Sequence, residues 1–191
     1  RARRVFVDVV YEMLMRDQYR ALYDNFRWYV PREFNIAEVC CRRWAQETTR
    51  IALHYEDEAG VHASFTYAAL QADANRLSNA LQALGVVRGE RVAIVLPQRP
   101  ETAIAHVAIY QMGAVAMPLS LLFGPEAFEY RLQDSEAVVA IVDATALASI
   151  EEVLGRCSDL RHLIVVGESS LNAIWHSWGA LLGRHGDTYS S

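Results

Sequence analysis

The chain has 191 residues, 52% hydrophobic and 21% charged, with a formal net charge of −5 at pH 7. This balance excludes a disordered polymer, which lacks the apolar surface to collapse. It also offers no basic face for a phosphate backbone, so no nucleic-acid partner is expected. All 18 basic residues are arginine, which excludes a Walker A lysine and Schiff-base catalysis within this chain.

Asp8 to Tyr29 reads as a helix rich in aromatics, and Pro31 stops it. The opening Arg1-Ala2-Arg3-Arg4 is not followed by a secretory apolar run, because Asp8, Glu12, Arg16 and Asp17 interrupt it. A start at Arg rather than Met leads us to expect residues upstream. Asn35 is an N-cap for a second helix through Trp44 to about Thr48, with Ile36, Val39, Cys40 and Trp44 as its buried side. Ile51 to Glu56 and Val61 to Phe65 predict a β-hairpin around a polar loop with Gly60. Thr66 caps a third helix whose Leu70, Ala74, Leu77 and Leu81 recur at three- and four-residue steps. Gly85 ends it.

From there helices and short apolar strands alternate. Strands are predicted over 91–96, 114–119, 137–142 and 162–166. Helices are predicted over 100–112, 125–134 and 145–156, with a last one capped by Ser169 or Ser170 and running through Leu182. This alternation predicts a doubly wound, mainly parallel α/β sheet with flanking helices, preceded by one or two helices and the hairpin. The division expected is a helical extension over 1–34 and an incomplete α/β domain over 35–191. The uncharged stretch from Ala103 to Pro125 is broken by His106, Gln111, Gly113 and Pro118, so no membrane span is expected.

Chemistry is sparse. The ten glycines form no dinucleotide fingerprint, which disfavours a flavodoxin-like nucleotide binder. There is no nucleophile elbow. The six histidines show no zinc-binding spacing, and Cys40, Cys41 and Cys157 fit neither a disulfide framework nor a zinc site. They read as packed free thiols in a cytoplasmic setting. Arg99 reads as a solvated surface residue. Asp143 reads as the cap of the Thr145 helix. His176, flanked by Trp175 and Trp178, reads as part of the last helix.

Four segments carry a resemblance. They are Thr66-Tyr67-Ala68-Ala69-Leu70; Asn75 to Leu81 with Leu84-Gly85-Val86 and Gly89 to Ile94; Leu96-Pro97-Gln98-Arg99-Pro100-Glu101; and Tyr110 to Leu119. Their order and spacing resemble the N-terminal part of AMP-forming acyl-CoA synthetases. Ala69 stands where the family has Glu, and Gln111 where it has Lys. Phe123 to Ala127, Tyr130-Arg131-Leu132 and Asp134-Ser135 are most similar to the short- and medium-chain branch. The resemblance implies a longer enzyme using ATP, Mg²⁺ and CoA to ligate a small carboxylic acid, with this chain its front piece. The family's Pro-Lys-Gly phosphate loop, nucleotide-binding Asp and Arg, metal-binding Glu and C-terminal lysine have no match here. The piece alone is therefore expected to have no catalytic residue, metal ligand or tight ligand. Its partner would be the rest of its own polypeptide, and an exposed apolar patch would favour self-association. Ser120, Leu121, Leu122, Phe123 and Gly124 are the residues expected near CoA. The rival expectation is an interaction or regulatory module that keeps the fold without catalysis.

Overall fold

The computed structural model describes residues 18–167 and 175–190. The chain divides into two compact units, Arg1–Phe34 and Asn35–Ser191. In the first, helix α1 (Tyr19–Asn25) buries no residue. Tyr19 and Tyr23 stack with ring centroids 5.9 Å apart. The predicted helix start at Asp8 lies outside the described residues. Its end comes at Asn25 rather than Tyr29. The Asn25 amide donates to the Ala21 carbonyl at 2.7 Å and Arg27 donates to the Asp24 carbonyl at 3.0 Å. Side chains thus take the last carbonyls, which need partners wherever a helix stops.

The second unit begins with α2 (Ile36–Cys40), capped by Asn35, whose Oδ1 accepts from the Ala37 N–H at 2.9 Å. The helix is shorter than predicted and its buried face differs. Cys41 leaves helical geometry at φ −133°, ψ −63°, and a 3₁₀ turn follows over Arg42–Trp44. Ala37 and Cys41 are buried, whereas Ile36 is exposed. The reason is close approach: the Asn35 amide also donates to the Tyr110 and Gln111 carbonyls at 3.1 and 3.3 Å. Trp44 instead lies under the guanidinium groups of Arg43 and Arg50.

Strands β1 (Ile51–Glu56) and β2 (His62–Thr66) pair antiparallel. Asp57 Oδ1 accepts from the Ala59 and Val61 N–H groups in their turn. Thr66 Oγ1 accepts from the Ala69 N–H at 3.1 Å and starts α3 (Tyr67–Ala83). Leu70, Ala74, Leu77 and Leu81 are buried as the periodicity requires.

The main sheet holds β3 (Arg91–Val95), β4 (Val115–Pro118), β5 (Val139–Asp143), β6 (His162–Val166) and β7 (Trp175–Ser177). All pairs are parallel, in the order β4-β3-β5-β6-β7. Alternate residues of the central strands face opposite sides. Val92, Ile94, Val139, Ile141 and Ile164 join the core under α3 and α4 (Pro100–Gln111). Ala93, Val95, Ala140, Val142 and Leu163 join the core under α5 (Pro125–Asp134) and α6 (Leu147–Leu154). Burial on both faces explains why these strands read as unbroken apolar runs. The segment around Trp175 is a strand, not helix. Among the described residues of that stretch, α7 (Trp178–Leu182) is helical, and Ser169 and Ser170 lie outside them. Trp175 is buried in the second core while its backbone pairs with Leu163. The ladder and this burial override the helical reading of an apolar run.

Helix α4 is joined to α3 through a buried polar hub. Gln111, 3% exposed, has its Nε2 2.6 Å from Ser78 Oγ and 3.2 Å from both Asn75 Oδ1 and the Ala74 carbonyl. Its Oε1 accepts from Gln71 at 2.9 Å and from Arg42 at 3.2 Å. Gly113, just beyond, has φ +70°, and a Cβ there would sit 3.1 Å from Arg88 Cγ. Only glycine fits that turn without strain. Replacing Gln111 with Leu strips the Gln71 and Ser78 side chains of their shared partner. Urea denaturation should show a loss of about 1–3 kcal/mol, the cost of stranding buried polar groups.

Candidate functional site

In an open parallel sheet, ligands meet the C-terminal ends of the strands. Here the β3 end leads into Leu96-Pro97-Gln98-Arg99 and the β4 end into Leu119–Gly124. Between these loops, β1 and the first turns of α4 lies a cleft of about 940 Å³. Its floor is apolar, from Ile94, Leu96, Ala103, Pro118 and Leu119, and His54, Glu56, Gln98, Arg99 and His106 add polar groups. Thr102 Oγ1 donates to the Pro97 carbonyl at 2.7 Å and pins the loop to α4. His106 Nδ1 lies 2.8 Å from the Thr102 carbonyl. A carbonyl only accepts, so Nδ1 carries a proton.

The five residues expected near CoA divide. Ser120, Leu121 and Leu122 line the cleft. Ser120 Oγ accepts from the Leu122 N–H at 3.1 Å, and this turn leaves Leu122 94% exposed. Phe123 turns the other way, edge-on to buried Phe128 and beneath the Arg131 guanidinium. Gly124 is the N-cap of α5. Neither is among the residues lining the cleft.

Arg99 differs from its solvated reading. It is held by Glu101 at 2.7 and 3.0 Å and by Asp143 Oδ2 at 3.0 Å. Asp143 Oδ1 accepts from the Thr145 N–H and hydroxyl, capping a 3₁₀ turn over Ala144–Ala146 ahead of α6. This cap is the role read from the sequence. Burial works against the Asp143 charge, but the Thr145 bonds and Arg99 outweigh it and hold the carboxyl below its ordinary value. The cluster bridges the ends of β3 and β5, where successive connections leave in opposite directions. The sequence hint was Arg99 two residues before Glu101 at a helix start. The partner across the sheet was not visible.

A group with a depressed carboxyl pKa adds stability that is present above the unfolded value and fades as pH falls through the folded one. Arg99→Ala should therefore cost about 1.5–3 kcal/mol at pH 7, the range for hydrogen bonds to charged groups. The cost should shrink as Asp143 is protonated. Urea denaturation of both proteins from pH 7 to pH 3 measures this.

Among the described residues no group of three His, Cys, Asp or Glu side chains is placed to hold a metal, and no helix is long and apolar enough to cross a membrane. A family model described as AMP-binding enzyme matches residues 41–185. An acetyl-coenzyme A synthetase of Streptomyces coelicolor is 31% identical over 160 residues, covering 78% of this chain and 25% of that protein. An acetyl-coenzyme A synthetase of Nostoc linckia is 30% identical, covering 78% of this chain and 47% of that protein. The crystal structure of the anthranilate CoA ligase AuaEII in complex with anthranoyl-AMP aligns with a TM-score of 0.77 at 26% identity, covering 85% of this chain and 30% of that one. The chain thus spans less than half the length of each of these relatives. Its two-sided parallel sheet, the hairpin before it and the family match over most of its length agree: the chain belongs to the AMP-binding enzyme family.

Proposed function

We propose that this chain is the N-terminal α/β portion of an ATP-dependent, AMP-forming acid:CoA ligase. In that reading residues 1–34 are a helical extension and 35–191 an incomplete domain completed by the rest of the polypeptide. The carrying observation is the family match over residues 41–185, alongside relatives named as acetyl-coenzyme A synthetases and a CoA ligase holding an acyl-adenylate. The reaction has two steps. A carboxylate oxygen attacks the α-phosphorus of ATP and pyrophosphate leaves. The CoA thiol then attacks the acyl carbon and AMP leaves.

Both steps need cations and backbone donors where charge develops. This chain has no lysine, and the arginine at the cleft is already bound by two carboxylates. Its residues do not suit an ATP triphosphate. In this reading the nucleotide and its Mg²⁺ are held by other segments, and this chain alone does not catalyse. Its own contribution is a scaffold and one wall of the site. Ser120–Gly124 is the stretch on the CoA side, with Ser120, Leu121 and Leu122 in the cleft and Phe123 and Gly124 anchoring the loop. The small carboxylic acid is the substrate, and no nucleic acid takes part. The free thiols of Cys40, Cys41 and Cys157 suit the cytoplasm. Val115, Leu122 and Tyr130 are exposed and support self-association of the isolated chain.

The isolated chain should give no ATP–pyrophosphate exchange and no calorimetric signal with ATP at micromolar concentrations. Micromolar ATP affinity would overturn the reading. In the longer protein, Leu122→Asp should raise the KM for CoA several-fold and leave pyrophosphate exchange unchanged. Equal losses in both would move this loop off the CoA side.

A further inference from the structure

His162 opens β6 and His176 sits in the middle of β7. The sequence separates them, but the sheet makes them neighbours: Ile164 is the register partner of His176, and His162 lies one step away on the same face. His176 Nε2 is 3.3 Å from His162 Nδ1, with ring centroids 5.3 Å apart. Both rings are half-buried.

Two neutral imidazoles at this distance share one N–H, which donates to the other ring's lone pair. One added proton is tolerated, because an imidazolium still donates to a neutral ring. A second turns the contact into N–H against N–H, two like charges in a partly buried place. The surroundings sharpen this. Burial first, then Arg161, lowers the His162 pKa, against a smaller opposing effect of the Leu84 carbonyl. Burial first, then His162 and Arg184, lowers that of His176. Glu90 is committed to Arg161 at 2.9 Å, and α7 carries no charged residue.

What the pair secures is slight. The β6–β7 ladder has three residue pairs, and β7 is the outermost described strand on its side. Beyond it come α7, with Leu181 and Leu182 buried, and a tail strapped to α3. Asn75 donates to the Asp187 carbonyl at 2.7 Å, and Asn79 to those of Gly186 and Thr188 at 2.8 and 2.9 Å.

We propose that the His162–His176 pair is a proton-operated clasp on the sheet edge, holding β7 and the segment behind it while one proton bridges the rings and loosening them when both rings become charged. For a base whose folded pKa is lowered, the released state takes the proton more readily. The hold is full at neutral pH and weakens as pH falls below the ordinary imidazole value of 6.5.

Hydrogen exchange of the whole chain at pH 7.5 and 5.0, corrected for the intrinsic pH dependence of exchange, tests this. Protection of the amides of residues 175–182 should fall at least tenfold at the lower pH, while those of β3 and β5 hold. His176→Gln and His162→Gln, which cannot charge the pair twice, should each remove that response. An unchanged response in a variant whose β5 remains protected would overturn the clasp. If neither variant folds, the C2-proton signals of the unmodified chain decide. Two coupled titrations below the ordinary value support the clasp, and two independent ordinary ones overturn it.

Discussion

A polar side chain buried between helices must find partners for its donors and acceptors, and Gln111 does so from three directions at once. Its amide is met by Ser78 and Asn75 of α3 and by the α3 backbone at Ala74. Its oxygen is met by Gln71 and by Arg42 of the 3₁₀ turn. Hydrogen bonds have narrow geometry, so this single residue fixes the register of α3 against α4. Apolar packing alone tolerates sliding far better. Once α4 is fixed at its last turn, its first turn is fixed too, and with it Pro97, Thr102 and His106 along the cleft. Asn75 extends the same network to the carbonyl of Asp187. The C-terminal strap, the helix pair and the cleft wall therefore share one anchor.

The electrostatics of the strand ends point the same way as the packing. Arg99 stands where an anion would arrive, but Glu101 and Asp143 already surround it. The local sum of one positive and two negative groups repels a polyphosphate. The rest of the cleft is apolar, with a strongly exposed leucine at position 122. Such a wall suits an apolar tether or another protein segment better than a nucleotide's phosphates. This agrees with the proposal that charge-stabilising groups come from segments other than this chain.

The edge of the sheet obeys a different constraint. In the centre, β3 and β5 are locked by burial on both faces, and their carboxylate, Asp143, sits at the strand end under Arg99. Among the described residues, β7 is held by three residue pairs, one buried tryptophan and a histidine contact. The edge strand with the shortest ladder therefore carries one half of the histidine pair. The described tail over Gly186–Thr188, bonded to α3, follows it after α7.

The sequence by itself determined the helices with strong periodicity or caps, such as Thr66 before α3 and Asn35 before α2, because capping and burial are local in the chain. It determined the central strands for the same reason: Val139–Asp143 is apolar at nearly every position, and only a strand buried on both faces explains that. It also showed the cap role of Asp143, whose partner Thr145 is two residues away. Only the tertiary structure decided what depends on partners distant in sequence. Arg99 meets Asp143 across two strands. Ala37 and Cys41, not Ile36 and Cys40, face inward because Asn35 binds the end of α4. Trp175 pairs as a strand because Leu163 lies beside it. Phe123 turns to Phe128 while Leu122 faces solvent, and His162 finds His176. Each needs two segments to be brought together first, which no local pattern of residues encodes.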